Sequence, residues 1–162
     1  LVQAELDSVQ VTFYSADPDI HNELVGGAHY EETVAGIRNA VTAGINLSIN
    51  TPLCSLNKDY LETLKFLHNL GVRYVTCSGL IITGNARTDE SVRTQLSGEQ
   101  LYQVLKEAAG YCYANNMEIN FTSPGWIAQE KLQELGLDVP PMIATNWFVP
   151  EVVISPFSPL PT

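Results

Sequence analysis

Strand-like and helix-like segments alternate along this chain, and that alternation limits its fold more than any other feature. Val9 to Ser15 (VQVTFYS) is rich in β-branched and aromatic residues and predicts a strand. Glu31 to Ala43 predicts a helix, with Val34, Ile37 and Val41 at helical spacing and Gly44 as its stop. Asn46 to Leu53 predicts a second strand. Asn57 is placed to cap the next helix, whose apolar stripe is Leu61, Leu64, Leu67 and Leu70 and which Gly71 ends. Arg73 to Leu80 predicts a third strand. Ser97 and Gln100 then form a capping box ahead of Leu101, Val104, Leu105, Ala108 and Cys112. Met117 to Phe121 predicts a fourth strand, and Ser123–Pro124 opens a last helix ended by Gly136.

The order β-α-β-α-β-α-β-α implies parallel strands joined by right-handed crossovers. The fold class expected is therefore α/β, a partial parallel β/α barrel of the TIM-like kind. Helix-to-strand connections are tight, whereas Ala16 to Tyr30 and Ile81 to Gln95 are long connections after strands. In α/β folds long loops after strands build the sites, so the C-terminal strand ends are the expected functional face. A closed eightfold barrel takes about 250 residues, and four units leave open edges that parallel strands normally cover. A doubly wound nucleotide fold is disfavoured, because Gly26–Gly27 comes late after the first strand and lacks the GxGxxG spacing. Residues 1–137 are expected to form the β/α part. Residues 138–162 change character, with Pro140, Pro141, Pro150, Pro156, Pro159 and Pro161 and no glycine or basic residue. They read as a Pro-rich tail or the start of a C-terminal module, within which Val152 to Ile154 suits a short strand.

Composition narrows the function classes. Hydrophobic residues make up 45% of the 162 positions, enough for a sizeable core. Eight Lys plus Arg stand against eighteen Asp plus Glu, a formal net charge of −10. That balance argues against nucleic-acid partners, which need a basic surface, and against anionic lipid. No apolar run approaches the roughly 20 residues of a membrane span. The chain has no initiator Met, and Leu1 to Ser8 carries Glu5 and Asp7 but no basic residue, unlike a signal peptide. Cys54, Cys77 and Cys112 are widely spaced and odd in number, which suggests small buried side chains rather than a disulfide framework or zinc site. A cytoplasmic location is expected.

Two sets of residues could carry chemistry. Asp17, Asp19 and His21 alternate beyond the first strand, and in extended backbone they would share one side as candidate metal ligands. Asp17–Pro18 and Asp19 are equally ordinary turn chemistry. Within the strands, Thr12, Tyr14, Ser48, Asn50, Thr76 and Ser78 take alternate positions, with Val11, Phe13, Leu47, Ile49, Val75 and Cys77 between them. A buried parallel sheet is apolar on both faces. One polar face per strand suggests a lumen for a polar ligand, or a half-exposed sheet.

The stretch from Val9 to about Pro141 resembles the second half of a radical-SAM core domain, closest to the peptide-modifying branch with an appended SPASM-type module. The resemblance rests on VQVTFYSADPDIH, the Gly44–Ile45 and Gly71–Val72 entries to strands, and TGNA at 83–86. It implies a partial β/α barrel in which a CxxxCxxC loop holds a [4Fe–4S] cluster. S-adenosylmethionine on that cluster is cleaved to a 5′-deoxyadenosyl radical, so the cofactor supplies the hard chemistry. This chain resembles the fourth unit onward and lacks the three-cysteine loop. By the same resemblance, Thr12 matches the hydroxyl residue that contacts the cofactor ribose, with Tyr14 and Ser15 following at the strand mouth. Asn50 faces the same lumen, and Ser78 and the backbone near Leu80 border the adenine. Val25 stands where many relatives carry Arg.

The expectation is thus a fragment or split half of a radical-SAM enzyme, inactive alone. Its partner would be an N-terminal half carrying the cluster motif, and its substrate a peptide or small molecule. Two rivals remain: a non-catalytic docking protein built on the same half-barrel, and a metal-dependent β/α-barrel lyase using Asp17, Asp19 and His21.

Overall fold

The computed structural model describes residues 8–79 and 94–122 together with the backbone of residues 151–154. The expected last helix after Ser123 and most of the 138–162 segment lie outside the described residues. The elements are β1 (Val9–Thr12), α1 (Pro18–Val25), α2 (Tyr30–Thr42), β2 (Leu47–Leu53), α3 (Tyr60–Asn69), β3 (Tyr74–Gly79), α4 (Gly98–Ala114), β4 (Glu118–Thr122) and β5 (Glu151–Ile154). The strands form one sheet in the order β1-β2-β3-β4-β5. The pairs β1–β2, β2–β3 and β3–β4 are parallel, and β5 closes the far side antiparallel to β4. The α/β class and the parallel strands expected from the alternation are present, and a strand covers Val152 to Ile154.

Register decides which residues meet. Val11 lies beside Ile49, Ile49 beside Val75, and Val75 beside Ile119. Side chains alternate across a strand, so in β1 to β4 every odd-numbered residue points to one face and every even-numbered one to the other. The odd face is the core. Phe13, Leu47, Ile49, Leu53, Val75, Cys77, Ile119 and Phe121 join one buried cluster with Val34 and Ile37 of α2, Tyr60, Leu64 and Leu67 of α3, and Leu101, Leu105, Ala108 and Cys112 of α4. The three longer helices therefore bury their apolar stripes on the same side of the sheet. A sequential strand order with the described helices α2, α3 and α4 on one face differs from the doubly wound arrangement, in which order reverses and both faces are covered.

Local chemistry sets the element ends. Ser97 accepts a hydrogen bond from Gln100 N at 3.2 Å while the Gln100 side chain accepts from Ser97 N at 2.9 Å, so the expected capping box starts α4. Gly71 ends α3 at φ +92°, and a Cβ there would sit 3.0 Å from Val41 Cγ1. Left-handed backbone and close approach both require glycine.

The structure differs from the sequence expectation at three places. The connection from Ala16 to Tyr30 is not a plain loop, because Pro18–Val25 is helical. Asp17 Oδ1 accepts from Asp19 N at 2.9 Å and from Ile20 N at 3.2 Å, Pro18 occupies the first turn, and Gly26 closes the helix at φ +80°. Asp-Pro is as good a helix start as a turn. Asn57 does not cap α3. The N-cap position is Asp59, which makes no side-chain cap bond, and Asn57 is buried and used elsewhere. The apolar stripe of α3 is also rotated: Tyr60, Thr63, Leu64 and Leu67 are buried, and Leu61 and Leu70 are half-buried at its margin.

The two faces should respond differently to truncation. Phe13→Ala removes a fully buried ring and should cost about 3–5 kcal/mol. Gln10→Ala, on the exposed side of β1, should stay within about 0.5 kcal/mol. Denaturant midpoints of the two variants check this.

Candidate functional site

The even-numbered face carries three cross-strand rows. Gln10, Ser48, Tyr74 and Glu118 form the first. Thr12, Asn50, Thr76 and Asn120 form the second, and Pro52, Ser78 and Thr122 the third, nearest the C-terminal strand ends. Thr76 Oγ1 donates to Asn50 Oδ1 at 3.0 Å, tying neighbouring strands through their side chains. Thr12 and Tyr74 are exposed, and Ser48, Asn50, Ser78, Glu118, Asn120 and Thr122 are half-buried. An open cavity of about 370 Å³ lies over the first row toward the N-terminal strand ends, lined by Ser8, Gln10, Ser48, Tyr74 and Glu118 among others. It reaches Thr76 and Asn120 of the second row, and Thr12, Asn50 and Ser78 are not in its described lining. Its described lining includes no basic side chain and one carboxylate. Such a surface suits hydroxyls, amides, rings and cations, and disfavours phosphate.

At the C-terminal end of β1 the chain is held by side chains rather than by the ladder. Thr51 Oγ1 donates to Phe13 O at 2.8 Å. Asn57 accepts from Cys54 N at 2.7 Å and donates to Tyr14 O at 2.9 Å and Pro52 O at 3.0 Å. One buried amide thereby satisfies three backbone groups left over where two strands end. Ser15 Oγ accepts from Asp17 N at 3.0 Å, and Thr63 Oγ1 accepts from Ala16 N at 3.1 Å. Tyr30 donates its hydroxyl to Ala16 O at 3.0 Å. Burial first, with the nearby Glu31 charge, pushes the Tyr30 phenol upward, which keeps it a donor. Tyr14 N donates to His21 Nδ1 at 3.2 Å.

The structure places the expected site residues unevenly. Thr12 and Asn50 are direct neighbours in one row, and Ser78 lies one row higher on the same face. Tyr14 follows Thr12 at the half-buried strand mouth. Ser15 is buried, and its hydroxyl is engaged in turning the chain toward α1. Leu80 and the TGNA segment lie outside the described residues. Gln10, Glu118, Asn120 and Thr122 complete the face and were not singled out from the sequence. The alternation in Met117 to Thr122, polar at even positions, was the signal that could have found them.

The metal reading of Asp17, Asp19 and His21 is not supported by their placement. It assumed extended backbone, but the segment is helical. Asp17 is spent on the N-cap, and His21 turns inward to full burial. Among the described residues no group of three or more His, Cys, Asp or Glu side chains could hold a metal ion.

The placement of the cysteines is unfavourable for cluster ligation. Cys54, Cys77 and Cys112 are all free and buried. Burial first, then the neighbouring Cys112, pushes the Cys77 thiol far upward, and burial pushes the Cys112 thiol up to about 12. Iron–sulfur clusters are held by thiolates, and these two thiols resist ionisation inside the core. No helix among the described residues is long and apolar enough to cross a membrane.

Comparison with family models, with curated proteins and with solved structures finds no match to this chain.

Anaerobic reconstitution with iron and sulfide should therefore leave the isolated chain without a cluster. Iron and sulfide analysis near four irons per chain, lost on replacing Cys54, Cys77 and Cys112 with Ala, would contradict the burial argument.

Proposed function

We propose that this chain contributes the later β/α units of a radical-SAM-type partial barrel, and that the even-numbered face of its sheet forms part of an S-adenosylmethionine site. The observation that carries the reading is one contiguous polar face across four parallel strands, with the helices α2, α3 and α4 packed on the other face. A sheet closed toward a ligand-filled lumen needs that division, whereas a sheet buried between two helical layers does not tolerate it. In this reading Thr12 meets the ribose hydroxyls, Asn50 extends the same row, and Ser78 borders the adenine with the backbone near Leu80. Tyr14 and Ser15 shape the mouth of β1. Among the described residues, the cavity over the first row has no basic group in its lining, which is compatible with a nucleoside that carries a sulfonium and no phosphate.

The buried cysteines of this chain do not fit a [4Fe–4S] cluster. The cluster would be held by a CxxxCxxC segment outside this sequence, on the same longer polypeptide or on a second one. The substrate class proposed is a peptide or a small molecule, and the reduced thiols accord with a cytoplasmic setting.

Thr12 offers the cleanest test. Thr12→Val keeps the shape of an exposed residue and removes its hydroxyl. One hydrogen bond to a neutral partner is worth roughly 0.5–1.5 kcal/mol, or about twofold to tenfold in affinity. Calorimetry with S-adenosylmethionine, on this chain together with a cluster-bearing part, should show that loss. Equal affinity in the two proteins would remove Thr12 from the site. No binding to either would leave the polar face as the docking surface of a non-catalytic protein.

A further inference from the structure

The residue that the proposed site leaves unexplained is His21. Its side chain is 0% exposed, and it is the one fully buried residue of the eight-residue helix α1, with Ile20 and Leu24 half-buried beside it. The ring lies among aromatic neighbours, with centroids 4.8 Å from Phe13, 5.7 Å from Tyr30 and 6.1 Å from Tyr14. Nδ1 accepts the Tyr14 backbone N–H at 3.2 Å. An acceptor Nδ1 fixes the neutral tautomer with its proton on Nε2, and Nε2 is buried without a hydrogen-bond partner among the described residues.

We propose that His21 is a proton-operated latch between β1 and α1: the neutral ring holds α1 onto the mouth of β1, and a protonated ring releases it. A proton on Nδ1 would set one N–H against another and turn the Tyr14 contact from attractive to repulsive. Among the described residues the surroundings provide no compensation. On β1 the facing titratable group is Tyr14. On α2 it is Tyr30, whose hydroxyl is committed to Ala16 O. Phe66 of α3, which rings the same pocket through Phe13 and Tyr30, is uncharged. The α1–α2 connection brings His29, a like charge when protonated, itself 3.2 Å from the exposed Glu32 carboxylate. On α1 itself, the Asp17 carboxylate caps the helix. Burial first, then His29, holds the His21 ring below the usual histidine value.

The sign follows. The docked state favours the neutral ring, and the released state titrates near the ordinary value of about 6.5. As pH falls below that value the released state gains, by at most about tenfold per pH unit for one proton, until the docked ring also protonates. Release frees the Tyr14 N–H and uncovers the C-terminal end of β1, so acid would open the strand end beside Thr12. The latch stands on this geometry whatever ligand the sheet binds.

The test uses the full chain labelled with nitrogen-15. Ring nitrogen shifts report the tautomer, and amide exchange of Tyr14, corrected for intrinsic rate, reports release between about pH 7 and about pH 5. Wild type should show Nε2–H at neutral pH. Tyr14 protection should fall by up to about tenfold per pH unit below about 6.5, while Ile49 in β2 holds. His21→Gln, whose amide oxygen can accept from Tyr14 N, should give a flat ratio, and His29→Asn should keep the fall. Nδ1–H at neutral pH, flat Tyr14 protection in wild type, or the same fall in His21→Gln would overturn the latch. Should His21→Gln fail to fold, the wild-type ring titration and Tyr14 exchange must share one midpoint, and separate midpoints would overturn it equally.

Discussion

Parallel register among β1 to β4 is the constraint on which the rest of this structure depends. Val9 beside Leu47, Ile49 beside Val75 and Val75 beside Ile119 put odd numbers with odd numbers all the way across the sheet. A slip of one residue would move each apolar set to the opposite face. With the register set, Phe13, Ile49, Cys77 and Phe121 have one side to occupy, and α2, α3 and α4 must pack there to cover them. The hydrophobic effect stabilises that side at roughly 25 cal/mol per Å² buried. The polar face is what remains, and it remains in ordered rows.

The strand ends depend on a different kind of interaction. Where the β1 ladder stops after Thr12, the leftover backbone groups of Phe13, Tyr14 and Ala16 are taken by Thr51, Asn57, His21, Thr63 and Tyr30. Three of these side chains come from β2, α3 and their connection, and two from α1 and α2. The mouth of β1 is thus a meeting point of four elements, which gives a change at His21 leverage over it. In a buried polar network of this sort each hydrogen bond counts, and His21 contributes through Nδ1 alone. That is why the protonation state of one imidazole matters there and would not matter on the solvent side of α2.

Much of this was legible in the sequence because it is periodic. Alternation in Leu47 to Leu53 and Tyr74 to Gly79 exposes the two faces, and the Ser97–Gln100 box marks a helix start that depends on neighbours three residues apart. Less legible were features that depend on distant partners. The role of Asn57 is set by Tyr14 O, 43 residues away, so local rules assign it to the nearer helix start. The helix α1 is eight residues long, too short for a periodic signal, and Asp17–Pro18 serves turns and helix starts alike. The inward turn of His21 follows from that helix, which is why an extended reading placed it wrongly among metal ligands. Gln10, Glu118 and Asn120 obey the same alternation as Thr12 and Asn50. Only the register shows that they share rows.

The central claim is that the even-numbered face of this sheet is a ligand surface and not merely the wet side of a fold. The most direct measurement is a nitrogen-15 amide titration of the chain with S-adenosylmethionine, read residue by residue. The account predicts shift changes concentrated at Thr12, Asn50, Thr76 and Ser78, fading toward α2 and α4. Changes confined to the helices, or no saturable change at any of the four, would contradict it.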